Sequence, residues 1–153
     1  MPIIDVEKPR WRSGKAAKIA GIDVNLIGML RKRSGFAIGT WQNSEYRFSA
    51  LDVAEMTLFV ALRALAFPIP EALQTAHDQR GSLKSLLINR LVHGFWSHGG
   101  LVFPVGNVGS QTLYFDAIGE RVIAKLALPL PIRPLPRNTD IALRMVDAIF
   151  DYI

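Results

Sequence analysis

The segment from Ser13 to Lys32 reads SGKAAKIAGIDVNLIGMLRK, and its spacing is that of a helix-turn-helix. Such a motif needs a small residue where the helices touch, a glycine able to adopt a positive φ in the turn, an apolar residue after it, and two apolar anchors on the second helix. The residues that meet these requirements in order are Ala17, Gly21, Ile22, Ile27 and Leu30. The sequence therefore predicts two short helices, Ser13 to Ala20 and Val24 to Arg33, that meet at a tight turn.

The net positive charge of the chain lies in the part that contains this motif. The whole sequence has 18 Lys or Arg and 13 Asp or Glu, for a formal charge of +5. Residues 1–50 hold nine of the basic and four of the acidic side chains, whereas the remaining residues hold nine of each. This asymmetry predicts an anionic partner for the N-terminal part, with nucleic acid ahead of an anionic membrane surface.

A hairpin and further helices are predicted after the motif. Residues 36–48 have the pattern of a short hairpin with its tip at Asn43-Ser44-Glu45. Ser49 is then placed as the N-cap of a helix, with Asp52 in capping-box spacing, and Pro68 is expected to end that helix. Pro70 suits the first turn of another short helix, Glu71 to Ala76.

The second half of the chain has a mixed pattern. An amphipathic helix is predicted from Leu83 to Ser97, with Arg90 on its polar side and Phe95 and Trp96 in the core. The elements predicted to follow are three short strands, a proline-rich extended segment and a final helix: Leu101 to Val105, Gln111 to Ala117, Arg121 to Leu128, Pro129 to Pro136, and Asp140 to Ile153. The fold class predicted is α+β and mainly α, with a winged helix-turn-helix module in residues 1–80. Residues 81–153 are predicted to form a mixed dimerisation or effector region, with a short antiparallel β meander.

Four segments of the sequence resemble the winged helix-turn-helix domain of the MerR family of transcription regulators, over about residues 13–76. Residues 15–22 (KAAKIAGI) look like the family's first helix and turn, and residues 24–33 like its recognition helix. Residues 46–53 (YRFSALDV) are similar to the stretch that leaves the wing and enters the next helix, and residues 62–72 (LRALAFPIPEA) to the segment that closes the module. The C-terminal half does not follow the family.

The resemblance implies that the second helix enters the major groove of DNA while the wing holds the phosphate backbone. The side chains implied to face base edges are Asn25, Met29 and Lys32. Those implied to contact the backbone are Arg31, Arg33, Trp41 and Arg47, with Arg47 foremost because it lies in the wing-exit motif. Lys15 and Lys18 are expected on the helix that also faces the duplex. Gly28 stands where a side chain would normally point to DNA, so few base contacts are expected.

The function predicted is a double-stranded DNA-binding transcription regulator, without cofactor and not an enzyme. No cysteine is present for a thiolate metal site, no nucleophile has an evident base, and His93 and His98 have no third ligand near them in sequence. A homodimer is expected because paired half-sites supply specificity that one small module rarely has. One alternative is a phage-type excisionase or other architectural DNA-binding protein. A second is a protein-protein interaction module, with the C-terminal strands as its contact surface.

A cytoplasmic location without a membrane partner is also predicted. Asp5 and Glu7 lie where a secretory signal would be basic and then apolar. The most apolar window, residues 51–70, carries charged side chains and is too short to span a bilayer. We expect a bacterial or phage-encoded protein associated with the nucleoid.

Overall fold

The structure, a computed structural model, describes residues 5–33, 35–94, 96, 99–104 and 109–130. The fold is α+β and mainly helical, as predicted. The helices are α1 (Ser13–Ala20), α2 (Val24–Arg33), α3 (Ala50–Ala64), α4 (Ile69–Asp78), α5 (Arg80–Ile88) and α6 (Phe115–Lys125). The strands are β1 (Trp11–Arg12), β2 (Thr40–Gln42), β3 (Glu45–Phe48), β4 (Gly100–Pro104) and β5 (Ser110–Tyr114).

The helices α1 and α2 have the predicted bounds, and the turn between them is made by Gly21. This glycine caps α1 in the left-handed conformation with φ 79°, which costs glycine nothing. The next N–H, that of Ile22, donates to the carbonyl of Ala17 at 2.9 Å. The predicted anchors Ile27 and Leu30 are both buried, so α2 is fixed by one apolar face and leaves the other face to solvent.

The predicted hairpin is present but shorter than expected. Its strands β2 and β3 are joined by Asn43 and Ser44, both at positive φ, which is the pattern of a type I′ turn. Glu45, expected in the tip, already pairs with Gln42. Residues 36–39 do not form a strand, and the sequence analysis missed β1, which pairs with β3 to give the order β1-β3-β2.

Helix α3 is the centre of the molecule. The capping box predicted at its start is present: Ser49 Oγ accepts from the Asp52 N–H at 3.0 Å, and the Ser49 N–H donates to Asp52 Oδ2 at 2.8 Å. Residues 50–62 are buried on every side of the helix, which packs against α1, α4, α5 and α6. The helix ends at Ala64, before Pro68, because Ala66 turns into the left-handed region with φ 69°.

The predicted amphipathic helix is wrong at both ends and on its polar side. Helix α5 begins at Arg80, continues as a π-helical turn over Asn89–His93, and ends at Gly94, three residues before Ser97. Arg90, predicted to face solvent, is only 2% exposed, because it follows Leu86 and Leu87 by four and three residues and so shares their buried face. Trp96 is buried as predicted, whereas Phe95 lies outside the described residues.

The third strand of the predicted β meander is a helix. Strands β4 and β5 form a two-stranded antiparallel sheet, and residues 115–125 then form α6. The β-branched residues favoured a strand, but Phe115, Ile118 and Val122 recur at helical intervals and are buried together. Gly119 stands between two of the predicted strands, where a turn is expected, but it lies inside α6 against Leu86 and Trp96.

Replacing Gly119 with Ala is expected to destabilise the protein by about 1 kcal/mol. A Cβ there would lie 2.8 Å from Trp96 Cζ3 and still closer to a methyl carbon of Leu86, and such overpacking outweighs the better helix propensity of Ala. Urea unfolding measures the change. Gly81→Ala, in the first turn of α5 with open space around its Cβ position, is the control and is expected to lose no stability. A stabilised Gly119→Ala variant would contradict this packing.

One apolar cluster contains residues from both sides of position 80, including Leu58 on α3, Leu86 on α5 and Ile123 on α6. The division into units 1–80 and 81–153 stays a prediction. The proline-rich segment beyond residue 130 and the final helix Asp140 to Ile153 lie outside the described residues. In the part of the chain that the structure describes, no helix is both long and apolar enough to cross a bilayer.

Candidate nucleic-acid interface

The outward face of α2 carries the residues predicted to read DNA. Asn25, Met29 and Lys32 are all exposed, and Met29, a large apolar side chain, is 46% exposed. Gly28 lies on the same face with open space around its Cβ position. The helix start is fixed by Asp23, whose carboxylate accepts the Asn25 N–H at 2.8 Å. These positions are spaced by three and four residues, so they form one continuous row along the helix.

Four exposed cations lie on the two helices of the motif. Lys15 and Lys18 are exposed on α1, and Lys32 and Arg33 are exposed at the end of α2. Within the described ranges none of these four side chains forms an ion pair. Their charges are therefore available to an external anion.

The hairpin presents an aromatic side chain and a cation that is already engaged. Trp41 is 62% exposed and packs edge-on against Tyr46, with ring centroids 4.9 Å apart. Arg47 Nη1 donates to the carbonyl of Arg10 at 3.2 Å, and Nη2 pairs with Glu45. Arg47 therefore ties β3 to the segment before β1. A phosphate could reach it only in competition with Glu45.

Arg31 does not lie where the resemblance implies. Its guanidinium points inward and donates to the carbonyls of Phe36 and Ile38, in the segment that leads from α2 to β2. It also stacks on Tyr46 of β3, with Cζ 3.5 Å from the ring centroid. Burial lowers the pKa of Arg31, against the opposing effects of Tyr46 and Asp52. Arg31 therefore fixes the hairpin on α2, and the contact with the DNA backbone that the resemblance implies for it stays a prediction.

Gly39 makes this attachment sterically possible. It has φ 99°, and a Cβ there would lie 2.9 Å from the Phe48 ring and 3.0 Å from Arg31 Nη2. Both the backbone conformation and the space exclude a larger side chain. Residues 35–39 therefore cross closely over the hairpin, and α2 and the hairpin form one surface.

Below this segment lies a charged cluster that the sequence analysis missed. Asp52 and Glu55 are 4% and 2% exposed, and both accept from Arg80 Nη1, at 2.9 Å and 2.7 Å. Glu55 also meets His77 Nδ1 at 3.2 Å. Burial acts to lower the pKa of Arg80, but the two carboxylates outweigh it and raise that pKa. The signal available in the sequence was a pair of acids inside an apolar helix, which requires a cation from elsewhere.

The cluster does not have the composition of a metal site. Among the described residues, no group of three or more His, Asp or Glu side chains is placed to hold a metal ion. The guanidinium of Arg80 instead occupies the position between the two carboxylates where a metal ion would bind.

Comparison of the whole chain with family models, curated proteins and solved structures gives no match.

Proposed function

We propose that this chain binds double-stranded DNA and regulates transcription, with α2 in the major groove and the β2–β3 hairpin against the backbone. One observation carries the proposal. The exposed row on α2 ends in Lys32 and Arg33, which form no ion pair among the described residues, and Arg31 attaches the hairpin to the same helix. The major groove is about 12 Å wide and accommodates one α-helix of this kind.

The chemistry of the row suits base edges. The Asn25 amide can bond to adenine in a bidentate manner, Lys32 can donate to guanine, and Met29 can contact a thymine methyl group. Gly28 adds no contact, so one copy reads few bases. We therefore propose a homodimer on paired half-sites, which doubles the contacts.

The flanking cations supply affinity that does not depend on sequence. Lys15, Lys18 and Arg33 are proposed to contact phosphates, and Trp41 to pack against the sugar-phosphate backbone from the hairpin. Each phosphate contact releases counterions, so binding weakens as salt rises. Residues 51–153 hold nine basic and nine acidic side chains, so they have no net charge and add little to this electrostatic part of the affinity.

Two kinds of substitution are expected to have different effects on DNA binding. Arg33→Ala should weaken binding to all sequences alike and reduce the slope of log K against log salt by about 1. Asn25→Ala and Lys32→Ala should change the preference among sequences, at about 1–3 kcal/mol for the base that is read. The measurements are a binding-site selection followed by salt titration on the selected duplex.

Lys125→Ala serves as the control, because this lysine is exposed at the far end of α6 and also lies outside any ion pair described. Affinity that does not change between low and physiological salt would contradict the electrostatic basis of the proposal. Footprinting then separates the alternatives. Short, two-fold symmetric protection supports a regulator, extended protection indicates an architectural protein, and no protection indicates a protein-protein module.

A further inference from the structure

A cavity of about 530 Å³ lies between residues 35–40 and α4, above part of α3. Small-molecule sites in proteins have volumes of about 300–1,000 Å³. The floor is formed by α3 and carries Asp52 and Glu55, with Arg80 and His77 beside them. The cavity therefore combines the size of a ligand site with charged groups at its base.

The two carboxylates at the floor are only partly satisfied. Each can accept about four hydrogen bonds. Asp52 accepts one from Ser49 N–H and one from Arg80, and Glu55 accepts one from Arg80 and meets His77. Both share the same guanidinium nitrogen, so two negative charges face one permanent positive charge.

The guanidinium of Arg31 lies outside the cavity but interacts electrostatically with Asp52. Two of its N–H groups donate to the Phe36 and Ile38 carbonyls, and it is not among the lining side chains. The walls are mixed: Ile38, Pro70 and Leu73 are apolar, and Thr40 and Gln74 are polar. The cavity thus offers apolar wall surface together with carboxylate oxygens at its base.

We propose that this cavity binds a small organic amine. The ammonium group donates to open acceptor positions on Asp52 and Glu55, and the apolar body packs against Ile38, Pro70 and Leu73. An anion is disfavoured, because it would have to compete with both carboxylates for Arg80. A bare divalent cation is disfavoured because only two carboxylates converge and their shared position already holds a guanidinium.

The position of the cavity connects it to the proposed DNA interface, and this part of the inference depends on the proposed function. Its roof is the segment 35–40, which Arg31 holds at Phe36 and Ile38 and which Gly39 packs against Phe48. A ligand that displaces this roof moves the hairpin relative to α2. If the amine displaces the roof in this way, it acts as an effector that weakens DNA binding.

Binding to the cavity is tested first without DNA, by calorimetry and by amide NMR, with phenethylammonium as the probe. Phenethyl alcohol and hydrocinnamate have the same ring and similar length but are neutral and anionic. The ammonium compound is expected to bind about tenfold more tightly than either, since only it offers a charged donor to the carboxylates. The amides that shift should include those of Gly35, Gly39 and Thr40. Equal binding of all three compounds, or shifts confined to another region, would overturn the proposal.

Two variants separate loss of the site from loss of the fold. Leu73→Trp fills the cavity from its half-buried wall while leaving all four charged groups in place, and it should reduce amine affinity about tenfold or more. Glu55→Gln removes one of the acceptor charges, and Glu71→Gln, an exposed acid on the same helix as Leu73, is its matched control. Retained amine binding in folded Leu73→Trp would refute the assignment even if Glu55→Gln proved too unstable to use.

The coupling is tested on the full chain with the selected duplex. Phenethylammonium is expected to weaken DNA binding by a factor within the roughly 5–150-fold range typical of allosteric coupling. The amine also acts as a salt, and Leu73→Trp, whose cavity is filled, measures this general effect. DNA binding by this variant should weaken only by that smaller amount. An equal response in the two proteins would overturn the coupling while leaving the cavity assignment intact. If the chain bound no DNA at all, the proposed function would fail, and the amine titration would still decide the ligand site.

Discussion

Replacing Arg80 with Met is expected to lower the free energy of unfolding by about 3–5 kcal/mol, because the change leaves two buried carboxylates without their cation. Asp52 and Glu55 lie 2.9 Å and 2.7 Å from Arg80 Nη1, and both are more than nine-tenths buried. Met preserves most of the apolar stem of Arg80, so the loss of stability reports the missing charge and not an empty space left by a smaller side chain. Urea unfolding near neutral pH, where Arg80 is charged in both the native and the unfolded protein, gives the value.

The matched control is Lys84→Met on the same helix. Lys84 pairs with Glu7 at 3.0 Å, but both side chains are about half exposed, and such surface pairs contribute about 0–1 kcal/mol. A second measurement tests the mechanism directly. Glu55→Gln should destabilise the wild-type protein but stabilise Arg80→Met, since in that background it removes an unpaired buried charge. Destabilisation in both backgrounds would contradict the role given to this cluster.

The parts of the fold that the sequence predicted correctly depend on neighbouring residues. The left-handed cap at Gly21 and the capping box at Ser49 each act within a span of a few positions. The turn at Asn43-Ser44 is equally local, since its two residues adopt the positive φ that a short hairpin needs. These signals do not depend on which other elements pack nearby, so a single sequence is enough to find them.

The errors occur where tertiary packing outweighs local preference. Residues 121–128 contain β-branched side chains, but α6 is stabilised by packing its apolar stripe against α3 and α5. Gly119 looked like a turn because a glycine in a sequence reveals nothing of the Trp96 ring that will lie against it. The charge of Arg90 likewise favoured solvent, but this residue shares the buried face of Leu86 and Leu87, which it follows by four and three residues.

The candidate site shows the same distinction. That Asn25, Met29 and Lys32 share a face of α2 follows from helical period alone. The cluster below them could not be found this way, because Glu55 and Arg80 are brought together only by the packing of α3 against α5. The direction of the Arg31 side chain could not be predicted from the sequence either. Arg31, Lys32 and Arg33 are adjacent cations at a helix end, and the sequence does not show which of them packs inward.

Arg31→Met is expected to lower the free energy of unfolding by about 2–3 kcal/mol, and also to weaken DNA binding. The variant keeps an apolar stem but loses the charged donor to the Phe36 and Ile38 carbonyls and the contact with the Tyr46 ring. A bond from a charged donor is worth about 1.5–3 kcal/mol, and a cation–π contact of this kind adds to it. Differential scanning calorimetry and DNA titration measure the two effects.

Lys32→Met separates a residue that positions the hairpin from one that contacts DNA. Lys32 is the next residue along the chain, but it is exposed and outside any ion pair described, so its loss should change stability by less than about 0.5 kcal/mol while still weakening DNA binding. Arg31→Lys should not restore stability, because an ammonium group cannot stack on Tyr46 and also donate to two carbonyls as the planar guanidinium does. Unchanged stability together with reduced DNA affinity in Arg31→Met would contradict this role. That outcome would support the phosphate contact that the MerR resemblance implies for Arg31. Because Arg31 and Lys32 are adjacent on the same helix, a difference between their variants reflects the direction and the chemistry of each side chain and not its place along the chain.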